Sequence, residues 1–478
     1  MRRIRIPVLL LLFTVAAVVE AGRLTSLSAI AGADVWWHLS SGLWILEHHT
    51  LPHGGIFSQV ADGAWIAASW AYDLLLAAGY RLLDVRAIPV LLMGFKAALA
   101  VVTFMLAGGL RGKFWPAVGL SAIAQYVLGA VPPGPTYFSI LFFGAELWLL
   151  LESRRRPRAL LWLPGLMLVW ANFDVQFGDG VAVLLIYMAV LAGERFGLGA
   201  RAHSSDFGRA AAIVGIAIAA TLVTPYFYRP YGVFFATTFS SANQYLGDFL
   251  APGFRQPQDY VLMLVAMAAF LALGLRRSRD PFAIAVLVAC VAASFYSKRD
   301  IWLVMLAALA VIGEAMVPER EESPEPVQSS RALRIAVAAA VVVLAAAAVI
   351  RIPRSRDALM TKVSEGYPVA ACEAIRERHL GQPLFNAYEW GGFLTWYLPQ
   401  YPVAIDGRNE LYGADFITEY SKVMNADVPY TEYPALTGAQ TILLPKGAIM
   451  AGALGSLPAF KVAYSDDAAV VLTRTEQP

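Results

Sequence analysis

Charge, cysteine and nucleotide-binding motifs are all scarce in this chain. Only 15% of its 478 residues are Asp, Glu, Lys or Arg, and the formal net charge is +2. An excess that small builds no basic surface for nucleic acid. The two cysteines, Cys290 in an apolar segment and Cys372 in a polar tail, rule out a disulfide framework and a CxxC-type metal site. No Walker motif, no GxGxxG between strand and helix, no GxSxG and no kinase set is present, so nucleotide-driven chemistry has no seat. Internal repeats and coiled-coil periods are missing as well.

What fills the chain instead is apolar. Hydrophobic residues make up 58% of it, and its mean hydropathy of +0.58 lies far above the range of soluble globular proteins. Segments long enough to cross roughly 30 Å of hydrocarbon lie near 6–22, 87–108, 114–131, 137–152, 159–174, 180–196, 209–227, 258–275, 281–296, 301–317 and 333–350. The fold expected is therefore a polytopic α-helical membrane protein with about eleven transmembrane helices. The N-terminal run "MRRIRIPVLLLLFTVAAVVEAG" has a basic start and an apolar stretch, as a signal peptide does. Its cleavage signal is weak and many like segments follow, so it is read as the first span.

Placing the N-terminus inside puts Arg111 and Lys113, the run "RRRPR" at 154–158, Arg195 and Arg201, "RRSR" at 276–279, and Arg331 with Arg334 on the cytoplasmic side. The segment 65–83 would reverse every later loop if it spanned. It reads better as an amphipathic helix in the outer interface, with Trp65, Trp70, Tyr72 and Tyr80 at headgroup level. The outer side then receives a first loop at 23–86, short loops at 131–136, 173–180 and 297–300, a long loop at 225–260, and everything after Arg351. Short basic turns and the acidic, Pro-rich linker "VPEREESPEPVQSS" remain inside. Two domains follow: a membrane domain at 1–351 carrying the first outer loop, and an extracytoplasmic α/β domain at 352–478. The second should run helix 368–379, strand "PLFNAY", helix "GGFLTWYL", strand "YPVAIDG", helix 413–424, strand "TILLPK", a helix near 448–456, and a closing strand pair.

Chemistry-bearing residues gather on the outer side. In "DVWWHLSSGLWILEHH" a helix places Asp34 and His38 on one face, beside a stripe holding Trp37 and Trp44. An acid at the membrane surface could serve as a general base or bind a divalent cation. The alternative is an interfacial helix whose tryptophans seat it at headgroup level and whose histidines are merely polar. Four of the six histidines, His38, His48, His49 and His53, lie close together, but their spacing matches no ligand motif.

The loop "WANFDVQFGDG" offers Asn172, Asp174 and Asp179 at the end of a span, where acids are costly unless they face a cavity. "SKRD" sets Lys298 and Arg299 outside, against the positive-inside trend, as a pair able to hold a phosphate. The long loop mixes aromatics such as Tyr226 with Arg229 and Arg255, a blend suited to a sugar or peptide substrate. Each has a plainer reading: a solvated turn, a loop clamp, and a loop packed on helices.

With these residues quoted, the layout resembles the GT-C superfamily of multi-spanning glycosyltransferases. More narrowly, "DVWWHLSSGLWILEHHTLPHGGIFS" and "FNAYEWGGFLTWYLPQYPVAIDGRNELYG" look like the opening loop and tail of a bacterial group of GT-C-like inner-membrane proteins. The resemblance implies a cytoplasmic N-terminus, an extracytoplasmic C-terminal domain, and transfer of a sugar from a polyprenyl-phosphate donor to an acceptor the sequence does not identify. It places Asp34 at the catalytic-acid position, as base or ligand of a divalent ion such as Mg or Mn, with His38 assisting. Lys298, Arg299 and Arg229 would hold the donor phosphate, and Trp37, Asn172, Asp174 and Tyr226 would contact substrate. The chain differs from the group at Phe173-Asp174, where a residue followed by His and Gly is usual after Trp-Ala-Asn, and at Ala68-Ser69-Trp70, where His-Glu-Trp is common. A GT-C-like scaffold without activity, whose tail binds a protein or glycan, is the alternative. A transporter or flippase ranks lower, since intramembrane charges are few and no inverted repeat shows.

The threading makes a direct prediction. With Cys290 and Cys372 replaced by Ser, a single cysteine at Lys446 should react with an impermeant maleimide in intact spheroplasts. One at Arg156 should react only after permeabilisation, and the reverse pattern would invert the topology.

Overall fold

A computed structural model describes residues 2–24, 33–52, 55–59, 65–109, 114–129, 131–196, 207–276, 280–316, 331–351 and 355–475. The linker 317–330, His53, Arg111, Lys113, Arg201 and residues 277–279 lie outside them. The chain folds into two compact units. One comprises Met1–Gly22, Pro89–Tyr228 and Gly247–Ile352; the other comprises Arg23–Ile88, Arg229–Leu246 and Pro353–Pro478. The segment read from the sequence as the first outer loop thus groups with the tail.

In the first unit a helix covers each of the apolar segments read from the sequence. By length and composition, four helical stretches among the described residues can cross a membrane: Trp70–Leu106, Thr136–Ser153, Phe177–Arg195 and Pro257–Leu275. Others are shorter, including Phe114–Leu128, Phe207–Ala220 and Pro281–Tyr296. The Phe207–Ala220 helix stops well before the expected 227. Pro225 disfavours helical geometry at the residue before it, and the Thr221 hydroxyl bonds back to the Ile218 carbonyl at 2.6 Å.

The helix Ile301–Met316 is the core of this unit. Twelve of its sixteen residues are buried on all sides, as expected of a helix that is apolar all round. It packs on the helices Thr136–Ser153, Pro257–Leu275 and Pro281–Tyr296. Near its end Gly313 lies directly on the backbone of Leu106 and Ala107, where a Cβ would overlap the Leu106 carbonyl. Gly108 turns there with φ +73, a conformation that glycine adopts without steric cost.

The second unit is built on the helix Ala33–His48, which packs against Trp70–Leu83 and Tyr388–Tyr397. The Trp70–Leu83 helix buries Tyr72, Asp73, Leu76 and Ala77, an i, i+4 stripe typical of an amphipathic helix. Gly42 lets the two helices of the first loop meet, since a Cβ there would strike the Asp73 carbonyl. The tail carries a four-stranded sheet of order β1-β2-β4-β3, from β1 (Leu384–Asn386), β2 (Thr441–Pro445), β3 (Phe460–Ser465) and β4 (Ala469–Arg474). β1 runs parallel to β2, and the other pairs are antiparallel.

"YPVAIDG", expected as a strand, is not one. Val403 instead makes an isolated parallel bridge with Ser58, the Val403 N–H donating to the Phe57 carbonyl and the Gln59 N–H to the Val403 carbonyl. The Asn386 side chain occupies the next backbone groups, donating to Ile405 O and accepting from Ala404 N–H, both at 2.8 Å. With its neighbours supplied by a three-residue stretch and one side chain, no ladder can extend.

Trp36 anchors this unit. Fully buried, it stacks on Trp396 at 4.6 Å between ring centroids and meets Phe393 and Tyr367 edge-on. Trp36→Ala should cost about 3–5 kcal/mol and expose the tail to limited proteolysis at temperatures where the unaltered protein resists.

Candidate functional site

Asp34 stands in the first turn of the Ala33–His48 helix, where the backbone dipole favours a negative charge. Its side chain is exposed, and Oδ1 accepts the Trp37 indole N–H at 3.1 Å. Trp37 is buried and lies against the His38 imidazole at 3.5 Å and edge-on to Trp65 at 5.9 Å. His38 faces inward. Its Nδ1 lies 2.5 Å from Asp73 Oδ1, with both side chains almost wholly buried, and Tyr72 covers the ring edge-on. Enclosed in this way, His38 stiffens the helix behind Asp34 and is out of a substrate's reach.

The tail reaches the same place through Asp406-Gly407-Arg408. Asp406 and Arg408 form a fully buried pair, with Nε and Nη2 of Arg408 donating to both carboxylate oxygens at 2.6–3.0 Å. The guanidinium lies over Trp65 at 4.9 Å and Phe57 at 5.5 Å. Its Nη1 is buried without a hydrogen-bond partner among the described residues. Between the paired residues, Gly407 presses on Asp34: a Cβ at this position would overlap Asp34 Oδ1 and crowd the Trp37 indole nitrogen. Trp65 donates to Glu410 Oε1 at 2.8 Å, and Tyr412 donates to Ser58 Oγ at 3.2 Å. Burial pushes the Glu410 carboxyl above the ordinary glutamate range, while the Trp65 bond and the Arg408 charge pull the other way. The two stretches that carry the family resemblance thus meet in one polar site.

The remaining sequence-selected residues separate by unit. Arg229 belongs to the unit of Asp34 and is exposed at the start of the helix Arg229–Thr238. Asn172, Asp174, Tyr226, Lys298 and Arg299 belong to the other. There the Asn172 amide donates to Leu168 O and Val223 O at 2.8 and 3.0 Å. Asp174 is buried and accepts from Ser139 Oγ at 2.6 Å, which in turn accepts the Trp170 indole N–H. Arg299 pairs with Asp300 through Nε and Nη2 at 2.9 and 3.2 Å and covers Phe249. Gln176 also donates to Asp300, at 2.9 Å. Lys298 is exposed, and Tyr226 is half-buried with its N–H bonded to Thr224 Oγ1.

Among the described residues no group of three or more His, Cys, Asp or Glu side chains is arranged to hold a metal. His48 and His49 are exposed, the first stacked on Trp44. At Asp34 the described surroundings, a carboxylate with an indole donor beside it, offer few of the several oxygen ligands that Mg or Mn take. Asp73 and Glu410 escape a reading of the sequence because their partners lie 35 and 345 positions away; Asp406 and Arg408 pair across two positions, but nothing local marks the pair as buried against Trp65 and Phe57. The signal nearest to visible is "DGR", two opposite charges about a glycine, in a stretch otherwise expected to be a strand.

No protein-family model matches the chain, and no curated protein does. Solved structures similar to it include ArnT from Cupriavidus metallidurans bound to undecaprenyl phosphate, at a TM-score of 0.47 and 15% identity, with 97% of this chain and 98% of that one covered. The apo state of the same protein aligns at 0.46, with 15% identity and 96% and 97% covered.

Gly407→Ala should cost about 1–3 kcal/mol through overpacking. Most of that cost should vanish in an Asp34→Gly background, because the clash is with the Asp34 carboxylate. A double-mutant cycle on thermal unfolding of the detergent-solubilised protein measures this coupling; additive costs would show that the two residues do not press on each other.

Proposed function

We propose that this chain is an integral membrane glycosyltransferase of the GT-C type. In this reading its eleven apolar helices span the bacterial inner membrane with the N-terminus inside, and the domain after 352 lies outside. It moves a sugar from a polyprenyl-phosphate donor to an acceptor on the outer face. The observation that carries the proposal is the setting of Asp34: an exposed carboxylate held by an indole N–H, backed by a buried His38–Asp73 pair, and closed from the other side by Gly407.

Such a carboxylate suits the role of general base. Asp34 takes the proton of the acceptor nucleophile as that atom bonds to the anomeric carbon. The bond from that carbon to the phosphate oxygen breaks, and polyprenyl phosphate leaves with the electron pair. His38 and Asp73 act as positioning residues. Lys298, an exposed cation in the other unit, is suited to a lipid phosphate.

A second reading has its own support. Asn172, Asp174 and Arg299 spend their polar atoms on protein partners, as would suit a scaffold that kept the fold without the activity.

Asp34→Asn separates the two. It retains an acceptor for Trp37 but cannot take up a proton, so transfer should fall about 10²- to 10⁴-fold. Mass spectrometry of lipid-linked sugars and envelope glycans, in cells holding equal amounts of either protein, provides the measurement. An unchanged profile would assign the scaffold role.

A further inference from the structure

A cavity of about 360 Å³ lies beside the site in the second unit, within the range of small-molecule pockets. One wall is the end of the helix Arg229–Thr238 with the turn that follows, and the other is the first half of the helix Asn409–Met424. Its polar lining comprises Ser240, Ser241 and Asn243 on one side and Asn409 and Glu410 on the other. Among the described residues no Lys or Arg lines it.

The hydrogen-bonding inventory is partly fixed by the protein. The Asn243 amide nitrogen is used by the Thr237 and Thr238 carbonyls at 3.0 and 3.2 Å, which leaves its oxygen as an acceptor. Asn409 Oδ1 accepts from the Tyr388 hydroxyl at 2.8 Å, which leaves its NH₂ as a donor. Glu410 adds a carboxylate that accepts, and the serines add hydroxyls able to do either. Phe239, 71% exposed, supplies an aromatic face at the rim. Gly413, with φ +78 and ψ 166, breaks the helix along this wall, and a Cβ there would meet nothing within 4 Å. The space next to it is open.

Acceptors, donors and an aromatic face without a cation exclude a phosphate and match a ligand bearing many neutral hydroxyls. We infer that this cavity is a subsite for a neutral carbohydrate. The assignment rests on the glycosyltransferase reading in taking that sugar as part of the acceptor glycan and not of the lipid phosphate. A relay of contacts ties it to Asp34: Glu410 holds the Trp65 indole, Trp65 meets Trp37, and Trp37 holds Asp34. Sugar in the cavity would thus stand beside the residues that seat the base.

The test uses the full chain in lipid nanodiscs and saturation-transfer difference NMR. The probes are glucose, galactose, mannose, N-acetylglucosamine and maltose, with glucuronic acid as the anionic control. At least one neutral sugar should bind saturably at concentrations up to about 50 mM, and glucuronic acid about tenfold more weakly. Ser241→Trp and Ala414→Leu, which fill the cavity from opposite walls, should each weaken neutral-sugar binding about tenfold or more. Saturation by no neutral sugar, equal binding of glucuronic acid, or indifference to both cavity-filling variants would overturn the inference. Asp34→Asn should bind the sugar as the unaltered protein does. Binding that persists while lipid-linked sugars stay unchanged in Asp34→Asn would leave the cavity standing and remove the catalytic reading; lost binding beside an altered lipid-linked profile would do the opposite.

Discussion

The ion pair of Asp406 and Arg408 sets the geometry on which the candidate site depends. Two charges that far from solvent must satisfy each other, since removing either one strands a buried charge at a cost of about 3–5 kcal/mol. Satisfying each other across one residue forces a tight turn, and at its apex only glycine leaves room for the Asp34 carboxylate. The same guanidinium covers Trp65, so a single pair places the backbone against the acid and the aromatic wall beside it. The His38–Asp73 contact does the matching work from the first loop, tying the helix of Asp34 to its neighbour.

Polar groups of the unit that holds the apolar helices follow a different economy. Asp300 receives Arg299 and Gln176, while Asp174 receives Ser139, which itself receives Trp170. Low dielectric surroundings make each unsatisfied group costly, so buried polar side chains are drawn into networks. This explains why Asn172, Asp174 and Arg299, which look like part of a binding set in the sequence, are occupied by neighbouring backbone and side-chain groups. Glu146 is one of several exceptions among the described residues, a wholly buried carboxylate with neither oxygen hydrogen-bonded, as Asp179 Oδ2 and Ser297 Oγ also are not. Buried charge in this unit is therefore more plentiful than the sequence suggested, with Lys96 and Glu20 adding a further buried pair at 3.9 Å.

Much of the helical framework could be read directly, because an apolar run of near-spanning length is a local signal that needs no partner. The tail strands at 384–386, 441–445, 460–465 and 469–474 were readable for a similar reason: β-branched, apolar stretches between turns. "YPVAIDG" looked the same and failed, since its partners are Ser58 and the Asn386 side chain, and nothing nearby in the sequence announces them. Asp34 could be singled out by its helical spacing from His38 and by the resemblance the sequence carries. Its surroundings could not: Asp73 lies 35 positions from His38, and Glu410 lies 345 from Trp65. Contacts of that separation are fixed by the folded chain alone.

The bridge between Ser58 and Val403 also bears on timing. A ribosome adding about 5–20 residues per second needs roughly 20–70 s to make the 345 residues between them. Through that interval the first loop has no tail to complete it. The Asp34 carboxylate meets Gly407 only once the chain has been made past residue 407, so a chain cut short before the tail would carry the acid without that neighbour. Long-range closure of this kind delays the assembled arrangement around Asp34 until the tail has been made.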